Sequence, residues 1–429
     1  MISLYCNMAT LAILTFILGY IAISLEHPLR INKAATAVLI GVLCWTIYIL
    51  QLNDAEAGVE SLMHHLGEIS SILFFLLGAM TIVELIDCHE GFKLMTQRIK
   101  TRNKVKLLWI ISILTFFLSA LLDNLTTAIV MTSLVCKILD ERNDRLYFAS
   151  MVIIAANAGG AFSPLGDVTT TMLWIGNQIS AGNIILKLFF PSIIVCLIPL
   201  FLISRKFTNQ TLPEITVVQD IKYPGDSKLV LILGILLLLF VPVFKLLTHL
   251  PPFMGILFAL GILWIVTSYL HRNKNEVHRN QLSVVYALQK IDSPSILFFL
   301  GILLAVAGLE SFGLLSQLAE ILTSTFKNEQ LIVVALGIIS AIVDNVPLVA
   351  AAQGMYSIVD FSTDHTFWIL LALTTGTGGS MIIIGSAAGV AAMGIAKIEF
   401  MWYFRRIAWI AFLGFISGVG AYMAQEFIF

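Results

Sequence analysis

Ser119-Ala-Leu-Leu-Asp123-Asn124-Leu-Thr126-Thr127 returns later in the chain as Ser340-Ala-Ile-Val-Asp344-Asn345-Val-Pro347-Leu348. Each copy lies between long apolar runs. A carboxylate inside a hydrocarbon layer is expensive to keep, so an acid in such a place marks a functional site by default. Two acids at matching positions of two halves point to an ion site between pseudo-symmetric repeats.

The surroundings justify the word hydrocarbon. Of 429 residues, 59% are hydrophobic and 12% charged, against roughly 25% charged in an ordinary soluble domain. Apolar runs near the ~20 residues that span a bilayer core recur along the chain, which predicts an all-α polytopic membrane protein with the lipid bilayer as its constant partner. The longest polar stretches, 205–228 and 271–292, are loop-sized and leave no room for a soluble domain. A net charge of -1 gives no sign of a nucleic-acid partner. Cys6, Cys44, Cys88, Cys136 and Cys196 have neither metal spacing nor a disulfide framework, and read as small core hydrophobes. With no nucleophile–base pair and no nucleotide-binding loop, an enzyme and a resident cofactor are not expected. The first apolar run, 8–25, lacks the basic flank of a signal peptide and reads as a retained helix.

Candidate crossings are 8–25, 34–50, 69–87, 147–176, 184–204, 229–249, 253–270, 293–313, 366–396 and 402–424. Basic residues gather at Arg30 and Lys33 and in 93–106, 137–145, 205–228, 272–290 and 397–406, whereas 51–68, 177–183, 249–252, 314–330 and 360–365 have almost none. Basic loops stay cytoplasmic, so both termini are expected outside. The apolar pairs 105–139 and 331–359 then each begin and end on one face. They are read as two opposed re-entrant hairpins, two full crossings each being the alternative. Irregular backbone at such depth is tolerated only when enclosed by protein or lining a watery cavity.

The duplication extends further. Ser71-Ile-Leu-Phe-Phe-Leu-Leu-Gly78 resembles Ser295-Ile-Leu-Phe-Phe-Leu-Gly301, and each hairpin is followed by a crossing broken at glycines: Asn157-Ala-Gly159-Gly160 through Gly166-Asp167, and Gly376-Thr377-Gly378-Gly379 through Gly385-Ser386. The crossing at 69–87 runs inward and its counterpart at 293–313 outward. This predicts an inverted-topology repeat: 1–204 (hairpin 105–139, broken helix 147–176), a cytoplasmic linker 205–228, and 229–429 (hairpin 331–359, broken helix 366–396).

Asp or Asn at a helix start also serves as an N-cap, yet Ser or Thr caps as well without burying a charge. A small hard cation needs several oxygens. Candidate ion-binding residues are Asp123, Asn124, Thr126, Thr127, Asn157, Ser163, Asp167, Asp344, Asn345 and Thr377, with Asp123, Asp344 and Asp167 as the carboxylates that would hold Na⁺ transiently. Serine and threonine hydroxyls also pack membrane helices, so each of these has a bland alternative. Glu84, Asp87 and Glu310 lie near helix ends and suit either proton relay or interfacial solvation. Lys245 is expected to snorkel, and His64 and His65 to lie in an outer loop.

The stretch Ala156-Asn157-Ala-Gly159-Gly160-Ala-Phe-Ser163-Pro164-Leu-Gly166-Asp167-Val-Thr169-Thr170-Thr171-Met-Leu-Trp174 resembles the NhaD-type sodium/proton antiporters of the ion transporter superfamily. So do Asp344-Asn345-Val-Pro347 and Thr375-Gly376-Thr377-Gly378-Gly379-Ser380 through Gly385-Ser386-Ala-Ala-Gly389. The resemblance covers roughly 60–410. It implies opposed hairpins in an inverted repeat, commonly a homodimer, and an ion-site role for Asp123, Asn124, Thr126, Asp167, Asp344 and Asn345. The expected activity is exchange of Na⁺, with Li⁺ as a further candidate cation, for H⁺ across a bacterial inner membrane, the ions being cargo. A Na⁺-coupled carrier of citrate or dicarboxylates and an arsenite efflux permease are the alternatives.

Overall fold

The computed structural model describes residues 2–24, 26, 30–52, 54–96, 101–212, 223–272 and 274–428, and their regular structure is helical apart from one β-bridge between Asn103 and Thr211. Eight helices among them are long and apolar enough to cross a membrane: Lys33–Gln51, Ala55–Cys88, Lys104–Leu122, Ala181–Phe207, Pro224–Thr248, Pro252–Leu270, Ser293–Ser311 and Ala408–Ile428. Side chains such as Leu186, Leu246 and Ile265 are more than two-thirds exposed, a poor arrangement in water and the ordinary one against lipid. The chain is an all-α polytopic membrane protein.

Three connections differ from the sequence-based expectation. His64 and His65 are not in a loop. They belong to the 34-residue helix Ala55–Cys88, whose N-cap Asp54 accepts hydrogen bonds from the backbone N–H groups of Glu56 and Ala57. At ~1.5 Å per residue this helix is about 50 Å long and outruns a ~30 Å hydrocarbon layer, so its polar first turns stay helical beyond the apolar run. The stretch 314–330 likewise contains the helix Leu314–Phe326, which buries Leu315 and Ala319 and turns its other face outward. The linker 205–228 is already helical from Pro224, proline being well suited to a first helical turn. Its residues 213–222 lie outside the described residues, as does the side chain of Cys6. Cys44 and Cys196 are buried, and Cys88 and Cys136 partly so.

The centre is built from two helices buried on almost every side. Residues 146–161 of Arg142–Ala161 and all but the first residue of Thr366–Gly378 are buried, the mark of a helix enclosed by others. Against the first packs Lys104–Leu122, which stops at Asp123 and resumes as Asn124–Ile138. Against the second packs Glu329–Ile339, which turns through 340–344 and resumes as Asn345–Met355. The two contacts are made alike. A Cβ on Gly159 would lie 2.1 Å from the Phe116 carbonyl oxygen, and one on Gly378 2.1 Å from that of Gly337, so only glycine allows these backbones to touch. Ser119 Oγ then donates to the Ala156 carbonyl at 2.6 Å, and Ser340 Oγ to that of Thr375 at 2.8 Å.

Each central helix ends at its glycines, and the chain restarts after a short irregular segment as Val168–Ile175 or, following a 3-10 turn, Ala387–Ala396. These short helices pack on segments distant in the chain: Asn124–Ile138 on Ala387–Ala396, and Asn345–Met355 on Val168–Ile175. Four helix starts, at Asp123, Asp167, Asp344 and Ser386, are thereby brought into the interior.

Candidate ion site

Each of the four starts is capped by its own side chain. Asp123 accepts from Thr126 N–H at 2.8 Å, Asp167 from Thr169 N–H at 2.9 Å, Asp344 from Val346 N–H at 3.2 Å, and Ser386 from Gly389 N–H at 3.1 Å. Helix N-termini carry partial positive charge, which helps to hold the three carboxylates in an apolar interior. The capping function therefore holds for all three acids, and their further hydrogen bonds go beyond it.

Asp167 is the hub. Thr169 Oγ1 donates to its Oδ1 at 2.7 Å, Asn124 Nδ2 to its Oδ2 at 2.6 Å, and Asn345 Nδ2 lies 3.3 Å from both oxygens. One carboxylate is thus gripped by an asparagine from each repeated phrase. Asn124 Nδ2 also donates to Asn157 Oδ1 at 3.2 Å, and Asn157 Nδ2 donates to Ser380 Oγ at 2.9 Å and Ser386 Oγ at 3.0 Å. This buried chain ties the two breaks together.

Asp123, Asn124, Asp167, Asp344 and Asn345 line one cavity of about 50 Å³, walled by Phe75, Leu76, Met80 and Phe299. It has room for a small cation with a water or two. Asp123 adopts φ 87° and ψ 155°, a conformation essentially confined to glycine that costs about 1–3 kcal/mol. Its counterpart Asp344 is relaxed at φ -49°.

The other candidates stand back from this cavity. Thr126 Oγ1 donates to Asp123 Oδ2 at 2.8 Å and orients that carboxylate. Thr127 Oγ1 is buried without a hydrogen-bond partner among the described residues. Ser163 Oγ donates to the Ala120 carbonyl at 2.5 Å, fastening the first break to the first tip. Thr377 Oγ1 donates back to Leu373 in its own helix at 2.6 Å. Lys245 donates to the Trp174 carbonyl and to Asn177, both at 3.1 Å, so it caps the end of Val168–Ile175. Two neighbours escaped the sequence reading. Lys33 Nζ stands 4.0 Å from Asp344 Oδ2, and the Asp344 N–H donates to Tyr20 Oη at 3.1 Å. Lys33 is a single charge at the head of an apolar run, and nothing in its spacing distinguishes a site residue from a topology marker.

A family model described as "Citrate transporter" matches residues 20–376. The chain is 48% identical to "Sodium/proton antiporter 1" of Arabidopsis thaliana over 96% of its length and 71% of that relative. It is 31% identical to "Na(+)/H(+) antiporter NhaD" of Vibrio cholerae over 95% of its length and 90% of that protein. The chain belongs to the NhaD-type sodium/proton antiporter family. "Sodium/proton antiporter 2" of Arabidopsis thaliana, 46% identical, is spanned almost end to end, 96% of this chain aligning with 98% of it. As a member of the NhaD-type family the chain carries its residues of resemblance around the cavity just described: the two Asp-Asn pairs and Asp167.

Proposed function

We propose that this chain is a secondary antiporter that exchanges Na⁺, and Li⁺ as a close chemical analogue, for H⁺. It is an ion carrier rather than an enzyme, and its ions are cargo. The observation that carries the reading is three carboxylates around one small cavity, two of which, Asp123 and Asp167, have no basic side chain in ion-pair range among the described residues. An uncompensated charge cluster in an apolar interior is costly, and a cation or a proton removes that cost.

Competition for the same oxygens is the coupling. Na⁺ bound among Asp123, Asp344 and Asp167 drives protons off, and protons arriving on those acids release Na⁺. The neutralised site crosses the apolar barrier, whereas the empty charged site is held back by desolvation. Asn124, Asn345 and Asn157 keep the acids in register, Thr126 orients Asp123, and Thr127, Ser163 and Thr377 shape the backbone around the tips. In this reading 105–139 and 331–359 are re-entrant hairpins, 147–176 and 366–396 are broken helices, and 1–204 and 229–429 are inverted repeats about the linker 205–228. The like-for-like clamps at Gly159 and Gly378 support it. We place the protein in a bacterial inner membrane with both termini outside, as a homodimer like the family it resembles.

The family model's description raises citrate as the second reading. A polycarboxylate wants open helix N-termini, but here all four are occupied by the protein's own side chains, three of them acidic. An arsenite permease has no comparable observation in its favour. The deciding experiment uses everted vesicles and a pH-sensitive dye. Addition of NaCl should dequench the dye in the wild type, and Asp123→Asn and Asp344→Asn should each abolish the response. Unchanged exchange in both variants removes the site assignment, and labelled-citrate uptake stimulated by Na⁺ overturns the substrate.

A further inference from the structure

Of the three acids around the cavity, Asp344 alone is paired with a basic side chain among the described residues. The partner comes from an element outside both tips. Helix Lys33–Gln51 lies along Ser293–Ser311 so closely that a Cβ on Gly301 would fall 2.3 Å from the Ala37 carbonyl carbon, and Trp45 Nε1 donates to the Leu304 carbonyl at 2.9 Å. This fixed pairing carries Lys33, the first residue of its helix, over the ring of Phe298 at 4.6 Å and to within 4.0 Å of Asp344 Oδ2. The Lys33 side chain is 24% exposed and that of Asp344 16%, so the ammonium sits at the rim of the cavity with water within reach.

We propose that Lys33 is a tethered counter-ion that competes with the transported cation for Asp344. With the cavity empty, the ammonium holds the Asp344 carboxylate while the aromatic face of Phe298 steadies it. When Na⁺ enters, Asp344 turns to the smaller ion and Lys33 withdraws to the rim, where its long stem keeps the charge hydrated. Lys33 thereby weakens Na⁺ binding on purpose, since an ion held too tightly cannot be released on the far side. It acts through Asp344 and is a positioning residue that sets cation affinity. The assignment of the cavity as the Na⁺ site is the reading on which this rests.

The test pairs Na⁺ titration calorimetry on the purified, full-length protein with the vesicle assay. Lys33→Gln, or Lys33→Met if the glutamine variant does not insert, should bind Na⁺ about twofold to fivefold more tightly, the scale of a half-solvated ion pair. Its KM for Na⁺ should fall in proportion, and Lys33→Arg should restore the wild-type value. A merely structural lysine gives the opposite pattern, a lost maximal rate with KM unchanged or raised, and that result overturns the proposal. Because binding is measured apart from transport, a wild type that binds Na⁺ without exchanging it sinks the antiport reading while leaving the Lys33 competition intact.

Discussion

Asp123 and Asp344 occupy corresponding places in the two phrases, yet only Asp123 is forced into a glycine-only backbone conformation, at φ 87°. Strain held at a residue that lines a cavity is characteristic of functional positions. Asp123→Gly relieves it, and Asp123→Asn keeps it. The glycine variant should therefore melt higher than the asparagine variant, by about 1–3 kcal/mol of stability, while neither exchanges ions. Thermal unfolding in detergent reads the difference, and equal melting points would show that the strain is not real. At this scale the sequence was informative about chemistry and silent about partners. A buried acid beside an asparagine is recognisable in any apolar run, whereas the convergence of Asn124 and Asn345 on Asp167 is a tertiary fact. No local pattern records it.

Among the elements, helix Ala55–Cys88 runs from the cavity wall to the turn at His89. It contributes Phe75, Leu76 and Met80 to the cavity wall, and at its C-terminal end the chain turns at His89. There His89 Nδ1 donates to the Leu85 carbonyl at 2.6 Å, leaving Nε2 to accept from His271 Nε2 at 3.2 Å, with the rings stacked at 4.9 Å. His271 follows the end of Pro252–Leu270, so the imidazole pair joins two crossings. Burial pushes both imidazoles below their ordinary value, His271 to about 4. The sign follows directly. The unfolded histidine takes up a proton below its ordinary 6.5 while the folded one stays neutral, so stability falls as the pH drops from there to about 4. His271→Gln should flatten that part of a melting-temperature profile, and a profile as steep as the wild type's would assign the acid sensitivity elsewhere. Hydropathy located seven of the ten expected crossings among the long apolar helices; 8–25, 147–176 and 366–396 are not among them, and Lys104–Leu122, expected as a hairpin arm, is. It misjudged 51–68 and 314–330 because a run of polar residues outside the bilayer looks the same whether it is coiled or helical. A capping Asp54 ahead of Ala55 was the available clue.

At the scale of the whole molecule, fold class was legible because a bilayer admits few solutions: each crossing must satisfy its own backbone, and 59% hydrophobic residues leave no other place for the chain. The charge bias of the loops further predicts both ends outside. Fusing alkaline phosphatase to the C-terminus should give an active reporter in a bacterial host and a green fluorescent protein fusion a dark one, and the reverse pair would invert the assigned orientation. What composition did not convey is how the two Asp-Asn segments are joined. Asn124–Ile138 rests on Ala387–Ala396 and Asn345–Met355 on Val168–Ile175, and the carboxylate of Asp167 is grasped by both Asn124 and Asn345. Neither segment can slide past the other without breaking those hydrogen bonds. Under the antiport proposed above, that shared grip on Asp167 would oblige both segments to move as one, and a wedge that held either of them still would stop the cycle without ever touching the cargo.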